Sequence, residues 1–156
     1  STPLYSSAAS DVYKRQPEEA VTGADIICAA TTSSTPVLRY QDLKSGVHIN
    51  GVGSFQPSMQ EIDSETIRNA LVFVDSRESA LSETGDLTIP IQEGIIGKNH
   101  LRAEIGELLE NPSLGRKTPD EITFFKSCGV AVQDVVAAGM ALEQAKKHNL
   151  GRIIRM

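Results

Sequence analysis

ADIICAAT, residues 24–31, is the stretch that decides the fold class. This short apolar run shows no alternation with polar residues, which is typical of a strand buried on both faces, as in a parallel sheet. Two comparable runs follow it, VHINGVG at residues 47–53 and LVFVDS at residues 71–76. Because short segments of helical character separate the runs, the sequence predicts βα units around a mainly parallel sheet.

The segments outside these three runs predict helices and one more strand. Ser64 is expected to cap a helix over residues 65–70, and residues 101–110 place apolar side chains at helical spacing. Residues 121–125 can form another short strand, and residues 129–148 give the clearest helix pattern in the chain. The order of elements therefore favours an α/β fold that ends in a long helix.

Composition and charge limit the classes of partner. The chain has 156 residues with a formal net charge of −5, and it shows no basic patch of the kind that nucleic acids or anionic membranes require. Its longest apolar runs are too short to cross a bilayer. Cys28 and Cys128 lie in apolar segments and are interpreted as reduced core thiols of a cytoplasmic protein. No spacing of cysteines and histidines is typical of a metal site, so no metal is expected.

The N-terminal segment is interpreted separately from the rest. Residues 6–16, SSAASDVYKRQ, match the in-frame translation of a sequencing-library adapter, which would make residues 1–5 primer or index sequence. The alternative is a genuine polar N-terminal tail. Since the segment has no helical or strand period, it is left out of the fold prediction, and natural sequence is expected to begin near Pro17.

Small and polar residues follow the predicted strands where a ligand would bind. In open parallel sheets, ligands lie beyond the carboxyl ends of the strands. Thr31 and Thr32 follow the first run, and Val52 and Gly53 end the second. Small residues let a ligand approach the backbone, and hydroxyls can hydrogen-bond a ribose or an amide. A threonine pair is usually a cap and Gly-Val-Gly usually a turn, but their recurrence at successive strand ends favours a dinucleotide site.

Two further polar residues have both a structural and a functional interpretation. Ser127 precedes the last helix, where it can cap that helix or contact a cofactor or anion. Glu83 is expected in a loop over residues 83–86, after the third strand, where turn formation explains its presence equally well. Neither residue identifies a site by itself.

The order of motifs resembles one known family. From Val21 to Ala145 the chain is similar to the ornithine cyclodeaminase/mu-crystallin family, with motifs in the family's order and spacing. The matching pieces are GADIICAATTSSTPVL, HINGVGSFQP, VDSRESALSETGDL, AEIGELLENPSLGR and DEITFFKSCGVAVQDVVAA. The resemblance implies a partial Rossmann fold, doubly wound around a mainly parallel sheet, whose C-terminal helix returns toward a missing domain for substrate binding and dimerisation.

The resemblance also implies a division of the chain. After a non-native tail at residues 1–16, residues 17–120 would form the partial NAD(P)-binding Rossmann domain. Residues 121–156 would form a strand–helix segment that packs on the absent domain. No glycine-rich phosphate loop follows a strand, and the catalytic residues are expected in the family's first half, outside this sequence. The chain by itself is therefore expected to be inactive.

The function that the resemblance implies belongs to amino-acid metabolism. The complete protein would be a homodimeric oxidoreductase that uses NAD or NADP on the CH–NH or C=N bond of a small amino or imino acid, as alanine dehydrogenases and pyrroline-2-carboxylate or other ketimine reductases do. The alternatives are an ornithine cyclodeaminase, which forms proline and ammonia, and a mu-crystallin-like protein that binds NADPH and a small ligand without useful turnover. Phe55 and Lys126 stand where the cyclodeaminase has aspartates, which favours the reductase and dehydrogenase branch.

The resemblance assigns roles to individual residues as well. The cofactor contacts that it implies are Thr31, Thr32, Val52, Gly53 and Ser127, the last on the nicotinamide side. Glu83 and Cys128 correspond to positions that contact the substrate or ligand in family members.

Overall fold

Five short strands form one parallel sheet in the computed structural model, which describes residues 16–152 and residue 154. The strands are β1 (Ile26–Ala29), β2 (His48–Gly51), β3 (Leu71–Val74), β4 (Leu101–Glu104) and β5 (Thr123–Lys126). Their order across the sheet is β1-β2-β5-β3-β4, and every neighbouring pair is parallel. The predicted α/β fold with a parallel sheet is therefore confirmed. The predicted tail at residues 1–16 lies outside the described residues except for Gln16.

Helices connect and follow the strands. The α-helices are α1 (Pro17–Val21), α2 (Ser64–Asn69), α3 (Arg77–Glu83), α4 (Gly85–Gln92), α5 (Ile105–Glu110) and α6 (Ala131–Lys147). Short 3-10 turns lie at Tyr40–Asp42, Lys98–His100 and Pro112–Leu114. In the described part of the chain, no helix has the length and apolar character that crossing a membrane requires.

The two faces of the sheet differ in burial. On one face the register brings Ile27, Ile49, Phe124 and Val72 side by side, and each is at most 8% exposed. The core is completed on this face by residues of α2, α3 and α4, namely Ile67, Ala80 and Leu87. Alternate side chains point to the opposite face, where burial varies along the sheet: Phe73 and Thr123 are 5% and 7% exposed, whereas Ile26 on the edge strand β1 is 66% exposed. We call the exposed part of this second side, at Ile26 and Cys28 of β1, the open face.

Several predicted boundaries differ from the structure. The strands predicted over residues 47–53 and 71–76 are shorter and end at Gly51 and Val74. Residues 101–104 form β4, so the helix predicted from residue 101 is wrong in its first turn and begins at Ile105. The apolar spacing was misleading because Leu101 and Ala103 are buried at alternate positions of a strand, while Leu101 and Ile105 also fit helical spacing.

Asp63, and not Ser64, caps α2. Oδ1 of Asp63 accepts a hydrogen bond from the backbone N–H of Thr66 at 2.9 Å, and Oδ2 accepts one from that of Tyr40 at 3.2 Å. Ser64 is the first helical residue, and its hydroxyl donates to the Glu93 carboxylate at 3.1 Å. The predicted cap is therefore wrong by one residue. Aspartate and serine cap helices about equally well, so the sequence alone does not decide between neighbours.

We expect Asp63→Ala to lower the free energy of unfolding by about 1–2 kcal/mol, because two backbone N–H groups lose their acceptor. Ser64→Ala is the matched control and should change this free energy by less than about 0.5 kcal/mol, since its hydroxyl bonds no backbone group of the helix and makes only long side-chain hydrogen bonds, to Glu93 at 3.1 Å and from Gln60 at 3.3 Å. Urea unfolding followed by circular dichroism gives both values. Equal losses in the two variants would contradict the assignment of the cap.

The segment that starts at residue 121 has two parts with different surroundings. β5 lies between β2 and β3 at the centre of the sheet, so the sheet continues past the predicted boundary at residue 120. By contrast, no residue of α6, which lies wholly within the described part of the chain, is buried. The apolar side chains of α6 that are 55–70% exposed are Val132, Val135, Val136, Met140 and Leu142. That α6 packs on another domain stays a prediction.

Candidate functional site

The carboxyl ends of four strands meet along one edge of the sheet. The register aligns Ala29 of β1 with Gly51 of β2, then with Lys126 of β5 and Val74 of β3. The segments that follow these residues therefore lie side by side, and we call this border the carboxyl edge. These segments carry all the predicted cofactor contacts: Thr31, Thr32, Val52, Gly53 and Ser127.

Backbone hydrogen bonds join the segments beyond the last paired residues of the strands. The N–H of Val52 donates to the carbonyl of Ala29 at 2.8 Å, which ties the segment after β2 to the end of β1. The N–H of Ser127 donates to the carbonyl of Gly51 at 3.1 Å, which ties the segment after β5 to β2. Thr31 is exposed and Val52 is 51% exposed, so the carboxyl edge is accessible. That these residues contact a cofactor stays a prediction.

Asp75, immediately after β3, fixes the segment between β5 and α6. Its Oδ2 accepts hydrogen bonds from the backbone N–H groups of Cys128 and Gly129, both at 2.8 Å, and from the hydroxyl of Ser127 at 3.2 Å. The N-cap of α6 is Val130. The capping role considered for Ser127 is therefore wrong, because its hydroxyl donates to Asp75 instead.

Glu61 is a residue of the site that the sequence did not reveal. Its side chain is fully buried, and its carboxylate accepts hydrogen bonds from three backbone N–H groups. Oε1 accepts from Thr31, while Oε2 accepts from Gly53 at 2.7 Å and from Ser54 at 3.0 Å. A glutamate in the polar stretch PSMQEID is normally solvated, so no local signal identifies it.

A buried ion pair lies behind Glu61. Oδ1 of Asp86 accepts from the backbone N–H groups of Glu61 at 2.7 Å and of Ile62 at 3.1 Å. Its Oδ2 lies 3.5 Å from Nζ of Lys126, and both side chains are fully buried. Burial raises the pKa of Asp86, and the positive charge of Lys126 opposes that rise.

The prediction of a loop over residues 83–86 is wrong, since Gly85 and Asp86 form the first turn of α4.

The two residues predicted to contact substrate lie near this edge but differ in exposure. Glu83 is exposed at the end of α3, while Cys128 is half-buried. Burial raises the pKa of the Cys128 thiol to about 11, and the negative charges of Asp75, Glu83 and Asp86 add to this rise. Cys128 is therefore a neutral thiol at physiological pH. Cys28 is exposed on the open face, so the prediction that it is a core thiol is wrong.

Cys128 should react with iodoacetamide much more slowly than Cys28 at about pH 8. With a pKa of about 11, Cys128 is only about 0.1% thiolate at that pH, and the thiolate is the reactive species. Its rate should rise about tenfold for each pH unit up to about pH 10. Timed alkylation followed by peptide mass spectrometry measures both cysteines in one sample. Equal rates at pH 8 would contradict the assignment.

The described residues form a cavity away from the carboxyl edge, and they offer no metal site. A cavity of about 550 Å³ opens near the amino ends of β1, β2 and β5, lined among others by Ile26, His48 and Thr123. The cavity lies on the same side of the sheet as Ile26, at the end of the strands opposite the carboxyl edge, so it does not adjoin the candidate site. Within the same part of the chain, no group of three or more His, Cys, Asp or Glu side chains could hold a metal ion.

The chain is similar to members of one enzyme family both in sequence and in fold. The ornithine cyclodeaminase/mu-crystallin family matches residues 11–149. A Delta(1)-pyrroline-2-carboxylate reductase from Bacillus cereus is 47% identical over 137 residues, which are 87% of this chain and 42% of that protein. The chain thus spans less than half the length of such relatives.

Two solved structures share the fold. The Delta(1)-pyrroline-2-carboxylate reductase of Thermococcus litoralis, in complex with NADH and L-proline, matches with a TM-score of 0.82 and 40% identity over 88% of this chain and 42% of that one. An archaeal alanine dehydrogenase dimer with bound NAD matches with a TM-score of 0.80 and 34% identity over 91% of this chain and 44% of that one. The predicted family is therefore confirmed: this chain belongs to the ornithine cyclodeaminase/mu-crystallin family.

Proposed function

We propose that this chain supplies part of the nicotinamide-cofactor site of an NAD(P)-dependent oxidoreductase that acts on the CH–NH or C=N bond of a small amino or imino acid. The observation that carries the proposal is the carboxyl edge, where the segments after β1, β2 and β5 are joined by hydrogen bonds. Thr31, Val52 and Ser127 thereby lie along one accessible border, which is where open parallel sheets bind nucleotides.

The residues of the carboxyl edge fit a nicotinamide cofactor in shape and in polarity. Gly53 leaves the segments after β1 and β2 in direct contact, since a Cβ at this position would lie within 2.5 Å of Thr31 backbone atoms and of the Glu61 carboxylate. The exposed side chain of Val52 offers an apolar surface to a ring. Because the Ser127 hydroxyl donates its proton to Asp75, its oxygen is left as an acceptor, which suits the amide N–H of a nicotinamide.

The cofactor would donate or accept the hydride, and these residues would orient the cofactor and exclude water from it. Glu83 and Cys128 would border the substrate, with Cys128 as a neutral thiol. We place the groups that bind the substrate carboxylate outside this chain. Phe55, which is 59% exposed beside the edge, has no proton to donate or accept, and this favours a reductase or dehydrogenase over a cyclodeaminase.

We also propose that the complete protein is a homodimer and that the segment 121–156 contacts its substrate and dimerisation domain. The support is the apolar side of α6, which no described residue covers. Residues such as Val135 and Met140, 70% and 63% exposed, are of the kind that a second domain would bury.

A hybrid enzyme tests the proposed function. In it, residues 17–149 of this chain replace the matching region of the Bacillus cereus reductase, and the unmodified reductase is the control. We expect a folded hybrid to oxidise NADH or NADPH when Delta(1)-pyrroline-2-carboxylate is added. A folded hybrid that binds NADH without turnover would contradict the proposal and favour a binding protein. Release of proline and ammonia from ornithine, without net NADH, would favour a cyclodeaminase instead.

A further inference from the structure

Glu61 lies beneath the carboxyl edge and bridges two of its segments. Each oxygen of its carboxylate serves a different segment: Oε1 accepts from Thr31, after β1, and Oε2 accepts from Gly53 and Ser54, after β2. The side chain is fully buried, so it does not itself reach the surface where a cofactor would lie. Glu61 influences that surface indirectly, by holding the backbone of Thr31 and Gly53.

The sheet alone does not hold these segments. The N–H groups of Val52 and Gly53 both donate to the carbonyl of Ala29, at 2.8 and 3.3 Å, and this is where the ladder between β1 and β2 ends. The N–H groups of Thr31 and Ser54 lie beyond it and have the Glu61 carboxylate as their acceptor. A charged acceptor makes these hydrogen bonds stronger than neutral ones.

The segments after β1 and β2 are in close backbone contact at Gly53. A Cβ at position 53 would lie within 2.5 Å of the backbone oxygen and nitrogen of Thr31 and of Oε1 of Glu61. Real Cβ atoms almost never approach other heavy atoms so closely, so Gly53 and Thr31 are packed backbone against backbone. Because the Glu61 carboxylate lies in this same contact and accepts hydrogen bonds from both segments, a shift of the carboxylate would disturb both segments.

The backbone of Glu61 is held in turn by a second buried carboxylate. Oδ1 of Asp86 accepts from the N–H groups of Glu61 and Ile62, and Oδ2 faces Nζ of Lys126 at 3.5 Å. Lys126 is the last residue of β5 and pairs in register with Gly51 of β2. The residue that follows it is Ser127. One buried chain of charged groups thus connects the segments after β1, β2 and β5.

We propose that Glu61 is a positioning residue of the cofactor site, and that Asp86 and Lys126 hold it in place. This inference rests on the proposed function, because it assigns to Glu61 the spacing of segments that the cofactor would contact. Glutamine at position 61 has one acceptor oxygen, and its amide N–H group would face the N–H groups of one segment. The N–H groups of one of the two segments would then lose their hydrogen-bond acceptor, although the side chain keeps its size.

Enzyme kinetics of the hybrid enzyme test the role in cofactor binding. Glu61→Gln should raise the KM for NADH by about 10- to 100-fold, which corresponds to the loss of one or two charge-assisted hydrogen bonds. The KM for the imine should change by less than about twofold. Glu65→Gln, an exposed glutamate in α2, is the matched control and should leave both unchanged. A merely structural role would instead lower the amount of active enzyme and leave both KM values as they are, which would overturn the inference.

Amide hydrogen exchange of this chain tests the geometry without any cofactor. In Glu61→Gln, exchange at Thr31, Gly53 and Ser54 should accelerate by about tenfold or more, while exchange at Ile49 and Phe124 in the sheet should change far less. Glu61→Asp keeps the charge with a shorter reach and serves if the glutamine variant does not fold. If the control hybrid does not bind NADH, the proposed function fails, yet the exchange result still stands. Unchanged exchange at all three amides in both variants would overturn the inference itself.

Discussion

Replacing Lys126 with methionine should lower the free energy of unfolding by about 3–5 kcal/mol at about pH 8, because it leaves the Asp86 carboxylate buried without a counter-charge. Methionine has a similar length and is apolar, so the loss would not come from an unfilled space. Among the described residues, Nζ of Lys126 and Oδ2 of Asp86 have no hydrogen-bond partner, and their mutual attraction is what compensates for burial. Urea unfolding of the variant and the natural chain measures the difference.

The loss should be smaller near pH 5 than near pH 8. Burial raises the pKa of Asp86 and Lys126 lowers it, so removing Lys126 raises the folded-state pKa further. A carboxyl group with a raised folded-state pKa contributes its stability fully below the unfolded-state pKa, about 3.9, and loses that contribution as pH rises through the folded-state value. In Lys126→Met the buried carboxyl therefore takes up a proton more readily as the pH falls, which reduces the penalty.

The double variant Asp86→Asn with Lys126→Met is the control for this interpretation. Asparagine keeps the oxygen that accepts from the N–H groups of Glu61 and Ile62, and it carries no charge that needs compensation. We expect the double variant to regain at least about 2 kcal/mol relative to Lys126→Met at pH 8. A double variant that is no more stable than the single one would show that the pair does not interact.

The arrangement of the carboxyl edge could be predicted because its signals are local. Each apolar run ends in small or hydroxyl residues, and the ends of parallel strands meet at one border whatever their order. Thr31, Val52 and Ser127 do lie along the same edge. The long helix at the C-terminus was also predicted to within two residues, since its pattern extends over several turns.

The order of the strands in the sheet and the burial of charged side chains could not be predicted from local sequence signals. β5 is the last strand in the chain, yet it lies between β2 and β3, which depends on crossovers and not on the composition of the strand. Glu61, Asp86 and Lys126 are polar residues in ordinary contexts, and their partners come from distant parts of the chain. Such residues become recognisable only when the fold shows that their charges are buried and paired.

The alanine variant of Gly53 should destabilise the chain by about 3 kcal/mol or more, because a methyl group has no space between the segments after β1 and β2. The backbone of Thr31 and the Glu61 carboxylate would have to move together, and the hydrogen bonds that Glu61 accepts from both segments would weaken. Gly97→Ala is the matched control: that loop glycine has open space around its Cβ position and a φ of −101°, so alanine should leave stability unchanged or raise it slightly. The free energies of unfolding in urea give both effects. A Gly53→Ala chain within about 1 kcal/mol of the natural one would mean that the two segments are not in contact, and the spacing attributed to Glu61 would lose its basis.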